Sequence, residues 1–249
     1  MIKVKDILNY LEDMYPADTA CDFDNVGLLV GDSQNIVTNA VVSLDCDINT
    51  LKYAKENSAN LIVTHHPVIF DPLKSVTDND IVFALIKNQI SVISIHTNLD
   101  IGKNGVNDTL CRVLNLKDVS AYMANDGYCL KSGNTDISSP DKFARFAKEK
   151  LGGFVRYAVG DKPIKRVLVC SGSGGGYIDE AINGGFDALV TADIKHNQFI
   201  TAINAGISLF DAGHYNTENI VIYQLCEALK KHFNSINFMT FENKKIKTV

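Results

Sequence analysis

Hydrophobic positions along the 249-residue chain switch between a helical period and short runs of strand length. Ile7, Leu8, Leu11 and Met14 recur at helical spacing and stop before Pro16, which predicts an opening amphipathic helix. A polar loop, DFDNVG from Asp22 to Gly27, follows. AVVSL at Ala40 to Leu44, LIVT at Leu61 to Thr64 and SVISI at Ser91 to Ile95 read as strands, with helices near Ile48 to Asn57 and Asp80 to Asn88 between them. The second half repeats the scheme: RVLVC at Arg166 to Cys170, a helix from about Tyr177 to Asn183, ALVTA at Ala188 to Ala192, a further helix, ISLFD at Ile207 to Asp211 and a longer helix from about Glu218 to His232. Strands alternating with helices imply an α/β fold, here two similar α/β units with largely parallel or mixed sheets. The polar stretch Ser132 to Asp141, with Gly133, Ser138, Ser139 and Pro140, reads as a linker. The boundary is placed just before it, giving a first unit over 1–122 and a second over 123–249 whose C-terminal helix is free to pack back on the first.

The unusual polar residues follow the predicted strands. Asp45 follows AVVSL, His65 and His66 follow LIVT, and His96 and Asp100 follow SVISI; Asp193 follows ALVTA, and His214 with Glu218 follows ISLFD. In open α/β sheets ligands bind outside the carboxyl ends of the strands, so independent strands would deliver these groups to a common edge. Imidazole mixed with carboxylate is the donor set of a borderline divalent metal, and His65, His66, Asp100, His214 and Glu218 are the candidate ligands. Adjacent residues on an extended strand face opposite ways and would not chelate one ion, but past the strand end His65 and His66 are placed to serve two neighbouring ions. Five ligands suit two ions bridged by a carboxylate, and Glu218, four residues after His214 at the start of the predicted long helix, can lean back towards it.

Other features are open to two readings. Asp45 either caps the following helix or supports a ligand; His96 is either a buried, hydrogen-bonded histidine or a proton-transfer group. SGSGGG at Ser171 to Gly176 lies between strand and helix, where an anion pocket and a tight structural turn are equally supported. It lacks the lysine of a P-loop and departs from the dinucleotide fingerprint. In TADIKHN, Lys195 and His196 stand at another strand end, with His196 a second candidate for moving protons. His232, late in a helix, reads as a solvent or helix-dipole partner.

The formal charge of −5 argues against a basic nucleic-acid footprint, and the short run Lys244, Lys245 and Lys247 reads as a solvated end. The six cysteines lie far apart without C-x-x-C spacing, as expected of reduced thiols in the cytoplasm. MIKVKDILNYLEDMY has no continuous apolar core of a signal peptide, and no run approaches the roughly 18 to 20 apolar residues that cross a membrane. A soluble cytoplasmic protein is expected.

Five blocks, DFDNVGLLVG, LIVTHHPVIF, HTNLDIGKNGVNDTL, CSGSGGGYIDEAINGGFDALVTADIKHNQ and LFDAGHYNTEN, together resemble the NIF-three-like family of dinuclear metal-centre proteins, often labelled type-two GTP cyclohydrolase I homologues. The resemblance implies two divalent metal ions per subunit on His65, His66, Asp100, His214 and Glu218; imidazole and carboxylate donors suit zinc, manganese, iron, cobalt or nickel. It implies a homohexameric ring and hydrolysis of a purine nucleotide such as GTP; from the residues themselves, His96 and His196 are the catalytic candidates. Phe23 stands where the family commonly has tryptophan and keeps an aromatic plug; Asn197 stands where many members have histidine. The rival expectation is a ring-forming, metal-binding adaptor or regulator without turnover.

Overall fold

A computed structural model of the protein describes residues 1–243, so the expectation for Lys244, Lys245 and Lys247 lies outside the described residues. The chain divides into two compact units, the first comprising Met1–Lys103 with the segment that begins at Val221, the second Asn104–Ile220.

The first unit opens with α1 (Val4–Met14), which buries Val4, Ile7 and Leu11 on one face. The Tyr15 N–H closes its last turn on the Leu11 carbonyl at 2.8 Å, immediately before Pro16. Then come β1 (Gly27–Val30), β2 (Asn39–Ser43), α2 (Ile48–Glu56), β3 (Leu61–Thr64), α3 (Ile81–Lys87), β4 (Ser91–Ser94) and α4 (Thr97–Ile101). The sheet runs in the order β1, β4, β3, β2, with the chain's final strand, Asn237–Phe241, on the far side of β2. β2, β3, β4 and that final strand are mutually parallel, and β1 is antiparallel to β4. Val41, Ile62 and Val92 of the sheet pack with Leu51 and Ala54 of α2 and Leu85 of α3. Burial on both faces is why these strands read as unbroken apolar runs.

The second unit contains α5 (Val106–Val113), β5 (Lys117–Met123), β6 (Cys129–Asn134), α6 (Pro140–Leu151), β7 (Arg156–Ala158), β8 (Arg166–Val169), α7 (Ile178–Asn183), β9 (Ala188–Thr191), α8 (His196–Asn204), β10 (Ser208–Asp211) and α9 (His214–Glu218). α10 (Ile220–His232) and β11 (Asn237–Phe241) then return the chain to the first unit. The sheet order is β5, β6, β8, β9, β10, β7, with β8, β9 and β10 parallel and the outer strands antiparallel. Each unit is thus α/β with a mixed sheet built round a parallel core.

Three expectations change. The division falls after Lys103 rather than near 122, because Leu110 and Cys111 of α5 and Leu114 just after it share a core with Phe143, Val167 and Phe210. The supposed linker is structured: Ser132 and Gly133 lie on β6, and Ser139 caps α6, its hydroxyl accepting from the Lys142 N–H. Gly133 reads as a turn but is a close-packing residue, since a Cβ there would meet the Lys117 carbonyl at 3.0 Å. The long last helix is preceded by α9, so Glu218 closes a short helix instead of opening the long one. The early start is set at Gly213, whose φ of +83° makes the turn and whose N–H donates to Asp211 Oδ1 at 3.2 Å.

Candidate metal centre

In the first unit the strand ends deliver three imidazoles and a carboxylate. The backbone ladder continues past β3: the N–H groups of His65 and His66 donate to the carbonyls of Ser43 and Leu44 at 3.3 and 2.9 Å. Past the strand end the two rings lie 5.0 Å apart with an interplanar angle of 39°. His65 is fully buried and its Nδ1 lies 3.0 Å from the Ile95 carbonyl; its Nε2 lies 3.5 Å from Asp100 Oδ1. His66 Nδ1 lies 2.7 Å from Asp45 Oδ1. Asp45 therefore supports a ligand candidate, and the cap of α2 is Asp47, which accepts from the N–H groups of Asn49 and Thr50.

His96 has the same arrangement, with Nδ1 2.8 Å from Asp24 Oδ1. Asp24 also accepts from the Thr97 N–H and hydroxyl. Burial alone would raise the Asp24 pKa, but the bonds from His96 and Thr97 outweigh it and hold the carboxyl well below the usual range. Asp24 is the functional residue that pattern reading missed. It sits in DFDNVG, a polar loop with no periodicity, and its only signal was an acid in the same block as Asn25 and Gly27. Phe23 beside it is 65% exposed, 6.2 Å from Phe70, and so is not a plug in the first unit.

In the second unit His214 stands at the start of α9, with Nδ1 2.7 Å from Asp193 Oδ2 and Nε2 3.0 Å from Glu218 Oε2. Desolvation pulls the His214 pKa down, but Glu218 and Asp193 more than compensate and push it up to about 9. Glu218 is buried. Buried Asp211 ties the turn together, accepting from the Ile194 and Gly213 N–H groups and pairing with Arg156. That bracing holds Asp193, whose φ of +55° is left-handed, against His214.

The glycine-rich loop resolves as a tight turn. Its N–H groups at Ser171, Gly172 and Gly174 donate to Asn107, Thr217 and Thr191 side chains at 2.8, 3.0 and 2.8 Å. Gly172, at φ +59°, passes so close to Glu218 that a Cβ would collide with its Oε1. His196, at the first residue of α8, is exposed, as are Lys195 and Asn197, and belongs to none of the metal-competent clusters among the described residues. His232 is stacked on Tyr10, ring centroids 3.9 Å apart, a packing role.

Four histidines thus show one chemistry: Nδ1 is held by a carboxylate or a carbonyl, which presents Nε2 as the donor. Metal-binding histidines are oriented this way. The donor set therefore fits a divalent cation, and fold and side chains define a two-unit α/β protein with metal-competent groups at the carboxyl edges of its parallel strands.

The chain belongs to the DUF34/NIF3 (NGG1p interacting factor 3) family, whose model matches residues 2–247. A Clostridium perfringens protein named GTP cyclohydrolase 1 type 2 homolog is 33% identical over 94% of both chains. A Campylobacter jejuni protein of the same name is 34% identical over 92% of both. Among solved structures, Staphylococcus aureus hypothetical protein SA1388 superposes with a TM-score of 0.88 at 30% identity, covering 99% of each chain. Reduced HcgD from Methanocaldococcus jannaschii gives 0.85 at 28% identity, covering 96% of this chain and 97% of its own.

Proposed function

We propose that the protein is a cytoplasmic, divalent-metal-dependent hydrolase in which His65, His66, Asp100, His214 and Glu218 hold two ions, acting on GTP or a related nucleotide. The observation that carries this reading is the common orientation of the imidazoles, each anchored at Nδ1. The relatives' shared name supports the nucleotide. Among the described residues no helix is long and apolar enough to cross a membrane.

When bound, the ions supply Lewis-acid polarisation of the electrophile and a nucleophilic water at neutral pH. The chain's own residues position and protonate. Asp45, Asp193 and the Ile95 carbonyl fix the ring planes of His66, His214 and His65. Of the two histidines expected to move protons, His96 is the one held beside candidate ligands, with Nε2 as its exchanging atom; His196 is exposed on α8. Self-association into a hexameric ring belongs to the same reading, and light scattering of the purified protein tests it.

The deciding experiment is elemental analysis of protein purified without added metal, followed by turnover of GTP, other nucleotides and phosphoesters with the identified ion. A metal-binding adaptor without turnover is the second reading. It is favoured by the glycine-rich loop, three of whose N–H groups donate within the fold. No turnover on any substrate, with partner binding that survives only when metal is present, would select it.

A further inference from the structure

We infer that the first unit carries a cation-binding face of its own, built from His65, His66 and His96, and that His96 is a ligand there. The inference rests on reading His65 and His66 as metal ligands; it adds a one-ion state in which His96 Nε2 is a ligand and not the proton-exchanging atom.

The three rings sit at the ends of two adjacent parallel strands, His65 and His66 after β3 and His96 after β4. Their centroids form a triangle of 5.0, 5.1 and 5.7 Å, with interplanar angles of 39°, 60° and 79°. One donor atom from each lies within 4.8 Å of the other two. All three Nδ1 atoms are committed, to the Ile95 carbonyl, Asp45 and Asp24, so each ring offers Nε2. Imidazole binds zinc at roughly 2.0–2.1 Å, which puts tetrahedral donors about 3.4 Å apart, so the rings need draw together by about an ångström. Side-chain rotation supplies that without moving the strands.

Asp24 is the strongest argument for His96 as a ligand. Its side chain has no solvent exposure, and it divides its oxygens between His96 Nδ1 and the N–H and hydroxyl of Thr97. Thr97 is in turn held by the Cys21 N–H, which donates to its hydroxyl at 2.9 Å. A carboxylate buried to fix one face of an imidazole increases the basicity of the other face, the arrangement found behind metal-bound histidines. Three imidazoles suit zinc, cobalt(II) or nickel(II), whereas the carboxylates Asp100, Glu218 and their partners would widen the choice.

The test uses the full chain with His214→Ala and Glu218→Ala, stripped with chelator and titrated with cobalt(II), reading the visible ligand-field absorption and competition with a chromophoric chelator. About one ion per chain should remain. Adding His96→Ala should weaken it at least ~10-fold, and Asp24→Asn by a smaller factor. On zinc addition to the double variant, the ¹⁵N signal of His96 Nε2 should move, a readout that stands even where the triple variant fails to fold. A folded double variant that binds no ion, an affinity indifferent to His96→Ala, or an unmoved His96 Nε2 signal each overturns the proposal. Failure of the unsubstituted chain to bind any ion would instead overturn the metal reading of the previous section.

Discussion

Asp45 Oδ1 stands 2.7 Å from His66 Nδ1, while Asp47, two residues on, caps α2. Two acids in DCD thus have unrelated duties. Asp45→Asn is expected to lower metal affinity about 10- to 100-fold with little change in stability. Asp47→Asn should leave affinity unchanged, and Asp47→Ala should cost about 0.5–2 kcal/mol in urea unfolding. Chelator competition and denaturation on the same samples check the pair; an Asp45 variant with wild-type affinity would remove its supporting role.

Gly172 is expected to be as sensitive as the ligand it touches. Gly172→Ala places a methyl on Glu218 Oε1 and forces a left-handed backbone at φ +59° on a residue with a Cβ. Metal occupancy should fall as far as in Glu218→Gln. Gly176→Ala, where a Cβ meets nothing within 4 Å, should retain full occupancy by elemental analysis.

His232 supplies the control for the histidine assignments. It stacks on Tyr10 and packs edge-on to Phe233. His232→Ala should cost about 0.5–1.5 kcal/mol of stability while leaving metal stoichiometry intact. A drop in bound metal would contradict the packing role.

Burial pushes the Cys46 and Cys111 thiols up to about 12 from 9.0, with Asp47 and Asp45 adding to the effect at Cys46 and Asp108 at Cys111. At pH 8 the thiolate is then roughly one molecule in 10⁴, so iodoacetamide should modify both far more slowly than a free cysteine. The raised values also stabilise the folded chain below pH 9. That contribution is lost as pH rises through 9.0 towards 12, because the unfolded thiols release their protons first. Mass spectrometry after timed alkylation and a melting curve against pH test the two consequences.

Strand positions were legible because the buried central strands are continuous apolar runs: LIVT was read at Leu61–Thr64, and SVISI, RVLVC, ALVTA and ISLFD differ from the observed strands by a residue. The polar residues following them were legible for the same reason, since a parallel sheet places its carboxyl ends on one edge. β5 escaped because six of its seven residues are exposed, and β6 because Gly133 reads as a turn.

The linear pattern by itself determined the α/β class, the parallel cores, and that His65, His66, Asp100, His214 and Glu218 follow strands. Tertiary structure alone decided the pairings. Asp24 reaches His96 across 72 residues, and Asp193 reaches His214 across 21. It also decided the unit boundary, because α5 joins whichever core accepts Leu110 and Leu114, and the return of β11 to β2 across nearly 200 residues of sequence. Periodicity records which face of an element is buried. It carries no record of which distant acid turns an imidazole's second nitrogen outward, since that depends on where the folded backbone brings the two side chains.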